Sequence, residues 1–311
     1  MKAGIAGAGA VGCHYGSMLQ QGGVETVYLA RGEHLKALQS SGLTHISMGN
    51  AKHLSVTASD DDATLSDCDV ILFACKTTGL EVMCEGLTQF VPENCILLTM
   101  QNGVEAPDVV QRYLPHNPII AASAFIGARI EEPGVINHSA AGHIRLGLYK
   151  PSERAEHVLN QLIQAWSKAG VDAQCVSKDV PEDVHVMLWH KMLWNCGFNA
   201  ITALTCRYAK DIATEPDTKR WVKSAMQETV LVAQAMGVIL PKDAINQHLA
   251  LTLKAGEVKT SMWQDIEHGR PTEIETMNGY VAKQGKVLGI ETPVNDFLSS
   301  LIRAADGSIS S

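Results

Sequence analysis

Three glycines constrain this chain more than any other feature. Gly7, Gly9 and Gly12, in the string Gly7-Ala8-Gly9-Ala10-Val11-Gly12, follow a short apolar run at residues 3–6 and open an amphipathic stretch reaching Leu19. In a strand-turn-helix unit the first glycine permits the tight turn, the second lets a pyrophosphate approach the backbone, and the third lets helix pack on strand. The first helical turn then offers unbonded amides and partial positive charge to phosphates. The same string without a ligand is an Ala/Gly-rich turn, and what separates the two readings is the strand before it and the helix after it. A secretory leader is the other pattern to consider. The stretch is glycine-rich rather than leucine-rich, and a second amphipathic segment follows where a leader's apolar core should have ended.

Residues 3–176 alternate short β-branched runs with helical stretches, the signature of βαβ units. Strands are expected at residues 3–6, 26–29, 70–74, 95–100, 119–122, 135–139, 143–148 and 171–176. Turn signals at Glu132-Pro133-Gly134 and at Gly142 read as antiparallel hairpins that extend a mainly parallel sheet. Beyond Pro181 the strand signals vanish and apolar residues recur at helical spacing. Helices are expected at residues 184–204, 215–236, 242–253, 273–288 and 294–305, with Pro216, Pro241, Pro271 and Pro293 near their boundaries. The expected fold class is an α/β Rossmann-type N-terminal domain over residues 1–181, a mainly parallel sheet with an antiparallel extension, followed by an all-α domain over residues 182–311. The Ser-rich end from Gly307 reads as a frayed tail.

Composition excludes several classes. The net charge is -8 with no basic cluster, so the footprint that nucleic acid requires is missing. No run approaches the ~18 apolar residues of a membrane span. Eight cysteines are scattered without a CxxC or a Cys/His metal spacing. The expectation is reduced thiols in a cytoplasmic protein, with no metal.

The choice between dinucleotides rests on the end of the second strand, where an acid would bond a free ribose 2′-hydroxyl. The string here is Val27-Tyr28-Leu29-Ala30-Arg31. A guanidinium makes paired, charge-assisted bonds to a 2′-phosphate, so Arg31 points to NADPH. Glu33 lies two residues on and keeps NAD open. Two more loops follow strand ends, where open α/β sheets place ligands: Lys76 after the third expected strand and Asn102 after the fourth. Each taken alone is ordinary turn chemistry.

In the helical half, Lys191, Asn195 and Asn199 recur every fourth residue in LWHKMLWNCGFNAITAL, so they share one helix face. The surrounding residues are apolar, so the helix is buried and its polar line needs partners. A ligand carrying a carboxylate and a hydroxyl would serve, and so would amides of neighbouring helices. A second polar segment, residues 260–296, carries Ser261, Gln264, Asp265, Arg270, Glu273, Glu275 and Asn278.

With these segments in view, GAGAVG, KTTGL, MQNGVE, KMLWNCGFNAITAL and SMWQDIEHGRPTEIETMNGYV stand in the same order as the corresponding motifs of ketopantoate reductases. The chain resembles that family over nearly its whole length. The resemblance implies reduction of a small 2-keto acid, with hydride from NADPH and Lys191 as the catalytic acid that protonates the developing alkoxide. It further implies that Asn195, Asn199 and Ser261 contact substrate, that Glu273 holds Lys191 or the nicotinamide ribose, and that Asn102 and Lys76 line the cofactor and substrate site. A homodimer through the helical domain is compatible with it, as is a monomer. Two positions depart from the family pattern: an asparagine three residues before Ser261 is Val258 here, and another, ten residues after Asn199, is Ala209. Both departures concern polar contacts to substrate, so another branched or aromatic 2-keto acid stays open. So does a non-catalytic NADPH-sensing regulator, although such a protein has no need of Lys191.

Overall fold

The computed structural model describes residues 1–176 and 183–306; Pro181, the junction expected at 181/182 and the tail from Gly307 lie outside the described residues. Two compact units are present, one of residues 1–101 and 105–184, the other of residues 102–104 and 185–311. Among the described residues no helix is long and apolar enough to cross a membrane.

The first unit is built on strands β1 (Lys2–Ala6), β2 (Glu25–Leu29), β3 (Leu43–Ser47), β4 (Asn50–Leu54), β5 (Thr57–Ser59), β6 (Val70–Phe73), β7 (Ile96–Thr99), β8 (Ile119–Glu132), β9 (Val135–Lys150) and β10 (Ala173–Cys175). They form one sheet in the order β4-β3-β9-β8-β7-β6-β1-β2-β5, with β10 beside β9. From β5 through β2, β1, β6 and β7 to β8 every pairing is parallel, whereas β8 with β9 and β3 with β4 are antiparallel. This is the expected mainly parallel sheet with an antiparallel extension. Its helices are α1 (Ala10–Gln21), α2 (Gly32–Ser41), α3 (Leu80–Leu87), α4 (Ala106–Tyr113) and α5 (Glu153–Lys168). Successive strand residues feed opposite faces, as a doubly covered sheet requires. Ile5, Leu72 and Leu98 join Tyr15, Leu19, Leu162 and Trp166 of α1 and α5 in one apolar cluster. Ala6, Phe73 and Leu97 join Leu80, Cys84 and Val110 of α3 and α4 in the other.

Three features of this unit differ from expectation. Residues 135–139 and 143–148 belong to the single strand β9, because Gly142 makes no turn. The ladder pairs Phe125 with His143 and Ile126 with Ala141, so Gly142 is an extra residue in a bulge, with φ of +107° there and +55° at Ala141. The hairpin β3–β4 and strand β5 carry no strong β-branched pattern and were not expected. Their turn is Met48-Gly49, with φ of +47° and +83°, the conformation of a tight two-residue hairpin.

The second unit is helical: α6 (Val184–Thr205), α7 (Ala209–Thr214), α8 (Pro216–Ala235), α9 (Ala244–Lys254), α10 (Ser261–Glu267), α11 (Asn278–Leu288) and α12 (Pro293–Ala305). The short α7 and α10 were not expected, and the helix expected over residues 273–288 is broken. A 3-10 turn at Ile274–Thr276 ends at Met277, whose φ and ψ of -118° and -105° leave helical space before α11 begins. The cause is local: the amide and hydroxyl of Thr276 both donate to the Glu273 carbonyl, at 3.2 and 3.0 Å, which pre-empts the α-helical bond. A buried network fixes the bundle around α6. The Glu228 carboxylate accepts from the Val294 and Asn295 amides, each at 2.9 Å, capping α12, while Asn278 donates to the Cys196 carbonyl of α6 at 2.9 Å and to Asn295 at 3.0 Å. A carboxylate at a helix N-terminus meets both the orphan amides and the positive end of the helix dipole.

Candidate active site

In the first unit, β1 ends in the glycine string. Gly7 has a φ of +105°, and a Cβ there would lie 2.5 Å from the Cys75 amide nitrogen. A Cβ on Gly12 would lie 2.2 Å from the Gly7 carbonyl oxygen. The chain's own packing therefore demands both glycines. Gly9 differs, because a Cβ there would meet nothing within 4 Å. Space is thus kept clear at the glycine that the fingerprint reserves for a pyrophosphate. Gly9 caps α1 without a side-chain bond, and the first turn, Ala10-Val11-Gly12, contains no acid. Its amides have no helical carbonyl to bond and suit an anion. Ala8 is buried, and its amide donates to the Leu29 carbonyl at 3.1 Å, tying the loop to the end of β2.

Arg31 follows β2 as the N-cap of α2; it is exposed and forms no ion pair among the described residues. The competing acid, Glu33, bonds Lys36 at 2.7 Å. Lys76 is exposed at the N-cap of a 3-10 turn, Thr77–Gly79, that follows β6. The residues present fit a dinucleotide. One contributor was not singled out from sequence: the buried Gln101 amide donates to the carbonyls of Phe73 and Cys75 at 3.0 and 3.2 Å, holding the loop that packs on Gly7.

In the second unit, α6 carries Lys191 partly buried and Asn195 and Asn199 buried. The Asn199 amide nitrogen lies 3.4 Å from Asn195 Oδ1 and 3.1 Å from the Met277 sulfur. Asn195 Nδ2 and Asn199 Oδ1 have no hydrogen-bond partner among the described residues. Native structures rarely leave such groups unpaired, so a donor and an acceptor on one buried face point to a ligand. Glu273 accepts from the Asn102 amide at 3.1 Å, and residues 102–104 group with this unit rather than with the strand that precedes them. Burial pushes the Lys191 ammonium down to about 8, against the opposing pull of the Glu273 carboxylate. The Glu273 carboxylate thus acts electrostatically on Lys191, and Asn102 holds that carboxylate.

The row continues one turn further. Thr202 bonds Thr260 at 2.7 Å, and Thr260 caps α10, whose first residue is the exposed Ser261. Ser261 thus stands at the Thr202 end of the row rather than beside Lys191. Thr202, Thr260 and Met277 were not singled out from sequence, although Thr202 sits at the i+3 position that extends the polar line. The two departures also meet here: the amide of buried Ala209 donates to the Val258 carbonyl at 3.1 Å, two residues before Thr260. Chemically, the row offers a proton-bearing ammonium of lowered affinity and paired amides suited to an oxygen-rich small molecule.

Comparison with known proteins agrees over the full length. Residues 3–151 match the family Ketopantoate reductase PanE/ApbA, and residues 183–306 match Ketopantoate reductase PanE/ApbA C terminal. A 2-dehydropantoate 2-reductase of Nostoc sp. is 27% identical over 309 residues, covering 98% of this chain and 95% of that protein. The crystal structure of a PanE/ApbA family ketopantoate reductase from Ralstonia eutropha JMP134 superposes with a TM-score of 0.89 at 28% identity, covering 99% of each chain. A D-mandelate dehydrogenase solved with NADH and anilino(oxo)acetate shares the fold, with a TM-score of 0.88 at 24% identity and 99% coverage of each chain. The chain is an oxidoreductase and belongs to the ketopantoate reductase family.

Proposed function

We propose that the chain reduces ketopantoate to (R)-pantoate with NADPH, a step toward pantothenate, with Lys191 as the proton donor. One observation carries this reading: the Lys191–Asn195–Asn199 row, in which a low-affinity ammonium shares a buried face with two unpartnered amide atoms. When bound, NADPH supplies the hydride that the keto carbon receives. Lys191 stabilises the negative charge growing on the keto oxygen and then donates its proton there. Glu273 keeps Lys191 oriented, and Asn102 holds Glu273. Asn195 and Asn199 orient the substrate's carboxylate and hydroxyl, with Ser261 at the far end of the row. Gly7 to Gly12 and Arg31 hold the dinucleotide, with Lys76 beside them. Eight free thiols fit a reducing cytoplasm.

Arg31 supports NADPH over NADH, since its guanidinium pairs with no carboxylate among the described residues. Losing a charge-assisted bond of about 1.5–3 kcal/mol, Arg31→Ala should weaken NADPH binding by roughly 10- to 100-fold and leave NADH binding nearly unchanged. Equal efficiency with both cofactors in the unmodified protein contradicts the assignment.

A second reading, an aromatic or other branched 2-keto acid, is favoured by one observation. Val258 and Ala209 replace two polar positions at a single place, close to the ring pair of Tyr208 and Trp263, whose centroids are 5.5 Å apart. The deciding experiment is NADPH consumption with ketopantoate against a panel containing phenylglyoxylate and pyruvate. Highest kcat/KM with ketopantoate supports the first reading and highest with phenylglyoxylate the second. Tight NADPH binding without turnover of any 2-keto acid overturns both in favour of a sensor.

A further inference from the structure

We propose that His14, His45 and His138 form a binding site for one transition-metal dication of the zinc class, buried in the first unit and distinct from the dinucleotide cradle. The three side chains come from α1, β3 and the bulged part of β9, far apart in sequence, which is why no ligand spacing is visible there. One ligand nitrogen from each lies within 4.8 Å of the others, and all three residues are buried. Zinc–imidazole bonds of about 2.0–2.1 Å place tetrahedral ligand nitrogens roughly 3.4 Å apart. His14 Nδ1 and His45 Nε2 are already 3.1 Å apart, and the His14 and His138 ring centroids are separated by 4.4 Å. Side-chain rotations that turn Nε2 of His14 and of His138 toward His45 Nε2 complete the geometry.

The hydrogen bonds around the cluster resemble the outer shell of a metal site. The Ser17 hydroxyl donates to the His14 carbonyl at 2.8 Å, so its oxygen is left to accept from His45 Nδ1, at 3.2 Å. The Ser47 hydroxyl lies 2.9 Å from His138 Nδ1. In both rings a serine occupies Nδ1 and leaves Nε2 as the nitrogen for a ligand, the arrangement by which outer partners orient metal-binding imidazoles. With its proton on Nδ1, His45 accepts at Nε2, which makes His14 Nδ1 the donor and puts the His14 lone pair on Nε2. That atom is buried and has no hydrogen-bond partner among the described residues. A buried, unpartnered nitrogen lone pair on a ring packed against two other imidazoles is an independent sign of a ligand.

The chemistry of the donors selects the ion. Three neutral imidazoles without a carboxylate suit Zn²⁺, Co²⁺, Ni²⁺ or Cu²⁺ and are poor ligands for Mg²⁺ or Ca²⁺. Burial and the neighbouring rings push His14 down to about 2 and His45 down to about 4, so both are neutral and carry lone pairs at pH 7. His138 Nε2 now lies 3.1 Å from the carbonyls of Ala140 and Ala141. It binds the ion once its proton moves to Nδ1, facing Ser47, and no proton is lost overall. A fourth ligand from solvent or a small anion completes the tetrahedron. The ion ties α1, which carries the cradle's first turn, to β3 and β9.

The test uses the full chain, stripped by chelator and titrated with Zn²⁺ against a competing chromophoric chelator, with Co²⁺ absorption as a second probe. One equivalent should bind with a micromolar or lower dissociation constant, and a tetrahedral Co²⁺ spectrum should appear. His45→Asn and His138→Asn should each weaken binding at least about 100-fold, and Ser47→Ala, which keeps all three ligands, about 10- to 100-fold. Circular dichroism shows whether each variant is folded. Binding no tighter in the unmodified protein than in folded His45→Asn, or a Co²⁺ spectrum unchanged by Ser47→Ala and His138→Asn alike, overturns the site.

Discussion

Lys191→Ala should lower turnover by about 10²- to 10⁴-fold, the usual contribution of a positioned general acid, while NADPH affinity hardly changes. An ammonium held partly buried on an otherwise apolar helix is costly unless it serves a polar ligand. Single-turnover reduction separates the chemical step from binding, and fluorescence titration reports NADPH affinity. Loss of NADPH binding with near-normal turnover would make Lys191 a cofactor ligand and Lys76 the better proton donor.

The second large effect is a contrast between two glycines of one loop. In Gly12→Ala the new Cβ falls 2.2 Å from the Gly7 carbonyl, 3.0 Å from Ile5 and 3.1 Å from Ala74. Helix α1 must move off β1, so stability should drop by about 1–3 kcal/mol or more and NADPH affinity with it. In Gly9→Ala the Cβ meets no protein atom within 4 Å, and the Gly9 φ of -77° suits alanine. The melting temperature should hold while NADPH affinity falls by at least about tenfold, because the methyl occupies the path of the pyrophosphate. Unchanged NADPH binding in Gly9→Ala would show that the phosphates lie elsewhere.

Regular elements with strong periodicity were legible in the sequence. The parallel strands read as uninterrupted apolar runs because they are covered on both faces, and α6 was placed to within a residue because its apolar and polar positions keep helical spacing over 22 residues. Local competition hid the rest. Gly142 carries turn chemistry yet makes a bulge, since Ala141 shares its positive φ and the ladder runs from Ala141 directly to His143. Residues 273–288 have helical periodicity, but the Thr276 hydroxyl captures the carbonyl that would continue the helix. For the candidate site, the spacing of Lys191, Asn195 and Asn199 predicted a shared face. Their orphaned amide atoms, the Glu273–Asn102 bond and the Thr202–Thr260 pin are contacts between distant residues that no local pattern encodes. Histidines 14, 45 and 138 are the extreme case, brought together only by the sheet order.

A pH profile of kcat/KM for ketopantoate with NADPH tests most directly whether Lys191 acts as the acid. The group works in its protonated form, and burial lowers its affinity to about 8, below the 10.5 of an ordinary lysine. Below about pH 7 the ammonium is intact and the rate should be level. Above about pH 8 it should fall tenfold per unit as the proton is lost. The limb for kcat should lie at higher pH, because the bound substrate's carboxylate stabilises the ammonium. A profile level to pH 10, or one that rises through pH 8, would contradict proton donation by Lys191.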